Sequence, residues 1–208
     1  MKRLLLSLGL WLGLTSLAIA QNTVPQVGVT SAYVKQLTYS AASIGLVPAA
    51  SATDIFCISG SSSRSISIKQ ISISGTAGTL VTAPFTLLRR TTLDTGGTAA
   101  TTTALPVAAP NLSSDPAATA TLTAYTANPT INDSSPTYFR SSTLTLNTTS
   151  TTVQASPLVW SFGERIGDFA KALDIPKGST AQQYCINLNA VSVSSGVLNI
   201  DITWVENL

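Results

Sequence analysis

The chain is 208 residues long, and 10% of them are charged, against about 25% in an ordinary soluble domain. Histidine is absent, 44% of residues are hydrophobic, and serine and threonine supply about a quarter of the chain. These numbers exclude a histidine-based catalytic triad or zinc site, a basic nucleic-acid-binding surface, and a coiled coil, which needs dense Glu, Lys and Leu.

The first twenty residues read as a signal peptide. Lys2 and Arg3 precede an apolar run from Leu4 to Leu17, and Ala18-Ile19-Ala20 places small residues just before Gln21. The run is shorter than the ~20 residues that span a bilayer, and no cysteine follows the cut to take a lipid. Cleavage between Ala20 and Gln21 therefore leaves no stable membrane anchor and sends the chain to the periplasm or the exterior. It also removes two of the eleven basic residues, leaving nine against nine acidic ones. A neutral chain has no electrostatic steering toward nucleic acid or anionic lipid. Near-zero charge favours self-association.

Residues 21–50 hold two prolines and few charges and read as an N-terminal arm, with one short strand from Tyr33 to Tyr39. A single domain is expected over 51–208. It opens on Asp54–Ser59, an apolar strand stopped by Gly60 and three serines. In Arg64–Ser74, Ile66 and Ile68 share one parity while Ile71 and Ile73 share the other, so a bulge or bend near Lys69-Gln70 must restore the register. Residues 79–92 form a long strand, in which Pro84 argues for an edge or a bulge. After a long connection over 91–116, strands follow at 119–126, 138–146 and 158–162. Glu164–Leu173 alone has helical spacing, for a turn or two before Pro176. Gln183–Val193 and Val197–Val205 read as a closing hairpin through Ser194-Ser195-Gly196. In the last strand Leu198, Ile200, Ile202 and Trp204 face one way, and Asn199, Asp201 and Thr203 the other. Eight or nine short strands with almost no helix predict an all-β, antiparallel sandwich of jelly-roll type, preceded by the signal-peptide helix.

Export permits Cys57 and Cys185 to bridge, although two free thiols would also satisfy the sequence. Around Cys185, Tyr184, Ile186 and Leu188 share the apolar face, which puts Cys185 on the polar face. A bridge would then join neighbouring strands at the surface.

Two stretches carry a family resemblance. Leu87-Leu88-Arg89-Arg90-Thr91-Thr92 with Thr95-Gly96-Gly97-Thr98, and later Thr123-Ala124-Tyr125-Thr126-Ala127-Asn128-Pro129-Thr130, resemble a group of poorly characterised all-β proteins from the structural regions of tailed phages and prophages. Leu188-Asn189 and the ending Leu198–Glu206 are similar to the same group. The resemblance covers residues ~50–206 and implies a virion-like structural protein, with no catalytic residues to carry over.

The residues offer little chemistry of their own. Glu164 and Asp168, with Asp174 beyond, could form a glycosidase-type carboxylate pair, but they read better as a solvated face beside Arg165 and Lys171. Asp94 with Gly96-Gly97, and Asn132-Asp133, could offer oxygens to calcium, but turn chemistry accounts for both. None of the lysines sits at a Ser-Lys dyad spacing, and no nucleophile elbow or phosphate-binding loop is present. Trp160 and Trp204 share parity with apolar neighbours and belong to the core. Tyr125 and Tyr138, flanked by polar loops, are the expected exposed aromatics and the candidate ligand contacts. Asn111, Asn132 and Asn147 each begin an N-x-[ST] triplet, of consequence only in a glycosylating host. The expectation is a non-enzymatic, cofactor-free, exported structural or assembly protein, with copies of itself or other surface or particle proteins as partners. A carbohydrate-binding module that recognises glycans is the alternative.

Overall fold

The structure, a computed structural model, describes residues 36–100, 107–108, 115–149, 155–163, 173–193 and 195–207. The leader with its Ala20-Gln21 junction, most of the predicted helical stretch with Glu164 and Asp168, and Asn111 lie outside these residues. Among the described residues the chain forms twelve strands and no helix. They are β1 (Leu37–Leu46), β2 (Asp54–Ser59), β3 (Ser65–Thr76), β4 (Val81–Arg90), β5 (Ala99–Ala100) and β6 (Val107–Ala108), followed by β7 (Thr121–Tyr125), β8 (Thr137–Leu146), β9 (Leu158–Ser161), β10 (Leu173–Ile175), β11 (Gln183–Asn187) and β12 (Val197–Asn207).

They build two antiparallel sheets. The first runs β10-β3-β12-β1-β6, with β9 also paired to β3; the second runs β5-β7-β2-β11-β4-β8. The buried faces of both contribute to one hydrophobic cluster, giving a sandwich-like architecture. The alternation in β12 explains why it lies at the centre of its sheet. Leu198, Ile200, Ile202 and Trp204 are fully buried, while Asp201 stays exposed. Burying each such aliphatic side chain contributes roughly 1.5–3 kcal/mol. Tyr39 stacks on Trp204 with ring centroids 5.7 Å apart. Both Trp160 and Trp204 are core residues, as their parity predicts.

The parity switch in β3 is resolved as the sequence requires. Thr203 pairs with Gln70 and Trp204 with Ile68, so Lys69 is the bulged residue. The bulge puts Ile66, Ile68, Ile71 and Ile73 all in the core. A second bulge, at Ile55 in β2, turns Ile55 and Phe56 inward together and leaves Asp54 for the other face.

Four expectations are corrected. Residues 37–46 are not arm: β1 pairs along β12 from Leu37–Glu206 to Leu46–Leu198, and the compact unit begins at Lys35. The predicted closing hairpin does not form, because β11 lies in the second sheet and β12 in the first. The connection is pinned where it leaves β11: Leu188 N donates to Thr53 O and Ala190 N to Ala52 O, with positive φ at Asn189 and Ala190. β4 is an interior strand despite Pro84. Its pairing with β11 stops at Thr86, so at Pro84 only β8 is alongside and the strand is locally an edge, where proline is tolerated. Leu173, expected at a helix end, starts β10.

Candidate functional site

On β4, β11, β2 and β7 the residues that do not point into the core form a second layer on the outer face of the second sheet. Cys57 and Cys185 are direct cross-strand partners with Cα atoms 4.2 Å apart, and their sulfurs are bonded. The bridge joins neighbouring strands, as the parity predicts, but it is not at the surface. Cys57, Cys185, Leu88 and Tyr125 form a small buried cluster of their own. The reason is a cap: residues 91–98 and 126–136 fold back over this face. Thr95 and Thr130 exchange backbone hydrogen bonds of 3.1 and 2.7 Å, and Thr126 N donates to Thr98 O. Gly97, at φ +71°, lies so close to Ala127 O and Pro129 that a Cβ would come within 2.8 Å of that oxygen. Asn132 Nδ2 donates to Leu93 O and Thr95 Oγ1. The two stretches that carry the resemblance therefore lie against each other, and their Thr, Gly and Asn residues hold the cap together.

Beneath the cap sits an ionic cluster that sequence reasoning missed. Arg90 donates from Nη2 to Asp54 Oδ1 at 3.0 Å and from Nε to Asp54 Oδ2, and Nη1 reaches Asp133 O at 3.0 Å. Asn187 Nδ2 also donates to Asp54 Oδ1. Asp94 Oδ1 is 3.7 Å from Arg90 Nε, and Asp94 Oδ2 is 3.9 Å from the Cys57 sulfur. Asp133 accepts from Thr91 N, Thr91 Oγ1 and Ser135 N. The available signal was a charge at each end of apolar strands: Asp54 opens β2 and Arg90 closes β4.

Burial and the neighbouring Asp54 push the Asp94 carboxyl up to about 7, against the pull of Arg90. The backbone N–H groups of Thr91 and Ser135 hold Asp133 below its ordinary value. Burial pulls the Arg90 guanidinium down, but the three aspartates outweigh it and leave it above its ordinary value. The sign of the Asp94 effect follows. Between its unfolded value of 3.8 and about 7 the folded chain binds the extra proton, so this contribution is complete in acid and fades as pH rises through neutrality. Asp133 acts in the opposite sense, below the ordinary carboxylate range. Urea unfolding from pH 4 to pH 8 is expected to show stability falling with pH, and Asp94→Asn is expected to flatten that slope. An unchanged slope in Asp94→Asn would assign the effect elsewhere.

This arrangement does not suit a metal. The sulfurs near Asp54 and Asp94 are spent in the disulfide, and Arg90 already supplies the counter-charge. Asp94 and Gly96-Gly97 are cap turn, as are Asn132 and Asp133. Asp174 is exposed on β10 and accepts from Ser67 Oγ at 2.6 Å.

The two tyrosines separate. Tyr125 is only 6% exposed, a correction: its outward parity holds, but the cap covers that face. Burial, with Asp94 and Asp54 nearby, pushes its hydroxyl up to about 12. Tyr138 is 66% exposed. It borders an open basin of about 430 Å³ with Thr86, Phe139, Arg140, Ser141 and Asn189, where Asn189 Nδ2 donates to Thr86 Oγ1.

A second buried carboxylate was also missed. Glu206 accepts from Thr119 N and Oγ1, Ala120 N and Trp204 Nε1, and pairs with Arg64 Nη1 at 3.4 Å. These bonds tie β12 to the segment before β7. Among the described residues no helix is long and apolar enough to cross a membrane. The buried disulfide fits an oxidising compartment. No protein-family model, curated protein or solved structure matches this chain.

Proposed function

We propose that the protein is a non-catalytic, exported structural or assembly subunit of a cell surface or phage-like particle, built as a jelly-roll-like β-sandwich. One observation carries this reading: several of the chain's few charged side chains are buried, which leaves a charge-poor exterior. Asp54, Arg90, Asp94, Asp133 and Glu206 are buried in ionic and hydrogen-bonded networks, while among the described residues eight large apolar side chains, including Ile44, Leu80, Tyr138 and Val159, remain exposed. A charge-poor exterior with exposed aliphatic groups favours contact with other protein surfaces. The leader-like N terminus and the disulfide support export.

Size-exclusion chromatography with light scattering on the purified protein is expected to give a mass above that of one chain. A monomer at high concentration overturns the reading. The basin at Tyr138 favours a second one, a glycan-binding module in which an exposed ring stacks on sugar beside Arg140 and Asn189. Glycan-array binding abolished by Tyr138→Ala would replace the first reading with the second.

A further inference from the structure

Among the described residues, one end of the domain presents no charged side chain. Four strand ends and turns converge there. Leu46 of β1 lies opposite Leu198, and Val197 of β12 lies opposite Thr76. The β3–β4 turn is anchored by Ala77 N donating to Asn147 O at 3.0 Å, and β4 starts with Val81 opposite Leu146. Residues 43–53, 75–85, 142–149 and 188–200, which supply this end, contain no Asp, Glu, Lys or Arg. Four aliphatic side chains stand out from it: Ile44 at 81% exposure, Leu80 at 68%, Val47 at 52% and Val197 at 37%. Ile44 sits in an irregularity of β1, where Gly45 N is held by Asn199 Oδ1 at 2.9 Å, so the side chain is presented by a tied turn.

We propose that this end is a self-association surface that seats the same end of a second copy about a two-fold axis. The proposal deepens the assembly reading above and rests on it. A two-fold contact requires only a self-complementary patch, and a surface without charge meets its own copy without stripping any ion of water. At the stated exposures the four side chains show apolar area on the order of 400 Å², the scale at which patches mark interaction sites. That is about half of the ~800 Å² that each partner contributes to a standard interface, and the uncharged turns around the four side chains add to it. A lipid surface fits less well. Lys and Arg are lacking there to hold anionic headgroups, and its one aromatic residue, Phe85, is buried, whereas membrane-seated tips favour Trp and Tyr.

Sedimentation equilibrium of the purified protein, of Ile44→Asp, of Leu80→Asp and of the double variant tests this, with Val159→Asp as a control on a remote exposed aliphatic. Thermal unfolding of each variant verifies the fold. The wild type and Val159→Asp are expected to dimerise. Each variant at the charge-free end is expected to weaken the dimer by at least about thirtyfold, the scale of losing an interface hot spot. Undiminished association in the double variant overturns the proposal and leaves the assembly reading standing. A monomeric wild type overturns both. Flotation with neutral phosphatidylcholine vesicles, lost in the double variant and accompanied by a monomer in solution, would assign the surface to lipid instead.

Discussion

Replacing Arg90 with leucine is expected to destabilise the protein by about 3–5 kcal/mol, the scale of removing one partner from a buried ion pair. Arg90 is the cation for Asp54 and Asp94, and its Nη1 also holds Asp133 O from the cap. Its removal leaves two carboxyl groups under the cap without a counter-charge. The variant can relieve that only by protonation, so its deficit should widen as pH rises. Equilibrium unfolding in urea at pH 5 and pH 8 reads both effects. A loss below about 1 kcal/mol would place the guanidinium in the surface class of ion pairs and undo the account of the cap. A second variant, Arg90→Leu with Asp54→Leu and Asp94→Leu, is expected to recover part of the loss, since an apolar set in place of a buried ionic one is often neutral or better.

The second large effect belongs to the disulfide. Cys57 and Cys185 are 128 residues apart in sequence, and closing a loop of that order is worth roughly 4–5 kcal/mol in the chain-entropy account. The double substitution Cys57→Ala, Cys185→Ala is expected to lose about that much, which for a domain of this size lowers Tm by roughly 10–15 °C. A fall of only a few degrees would mean that the unfolded chain gains little freedom when the bridge is absent. The sulfurs also pack against Leu88 and Tyr125 beneath the cap that Arg90 helps to hold. The Arg90 and cysteine effects therefore share a structural unit and should not add.

What could be read in advance was local. The isoleucine parity in β3 demands one extra residue, and Lys69 is that residue. β12 alternates cleanly because one of its faces is buried along its whole length. β1 was illegible for the converse reason. Its inward residues include Ala41 and Ser43, too small to mark a face, and β12 alone decides that they are core. The β11–β12 connection looked like a hairpin because turn residues announce a change of direction but not which sheet receives the next strand. Tyr125 and the cysteines failed in the same way. Parity tells which face a side chain takes, and it is silent about a loop forty residues away that later covers that face. The ionic cluster needed Asp54, the Arg90–Asp94 segment and Asn187 brought together from three separate segments, and no spacing encodes that.

The place of β12 between β3 and β1 has a consequence for how the polypeptide is made. A nascent chain that emerges N terminus first carries two strands whose common neighbour is still unsynthesised. The joining of these two strands into one sheet waits on contacts between residues more than 150 positions apart. The central strand of that sheet is in place only once nearly the whole length of the polypeptide is available.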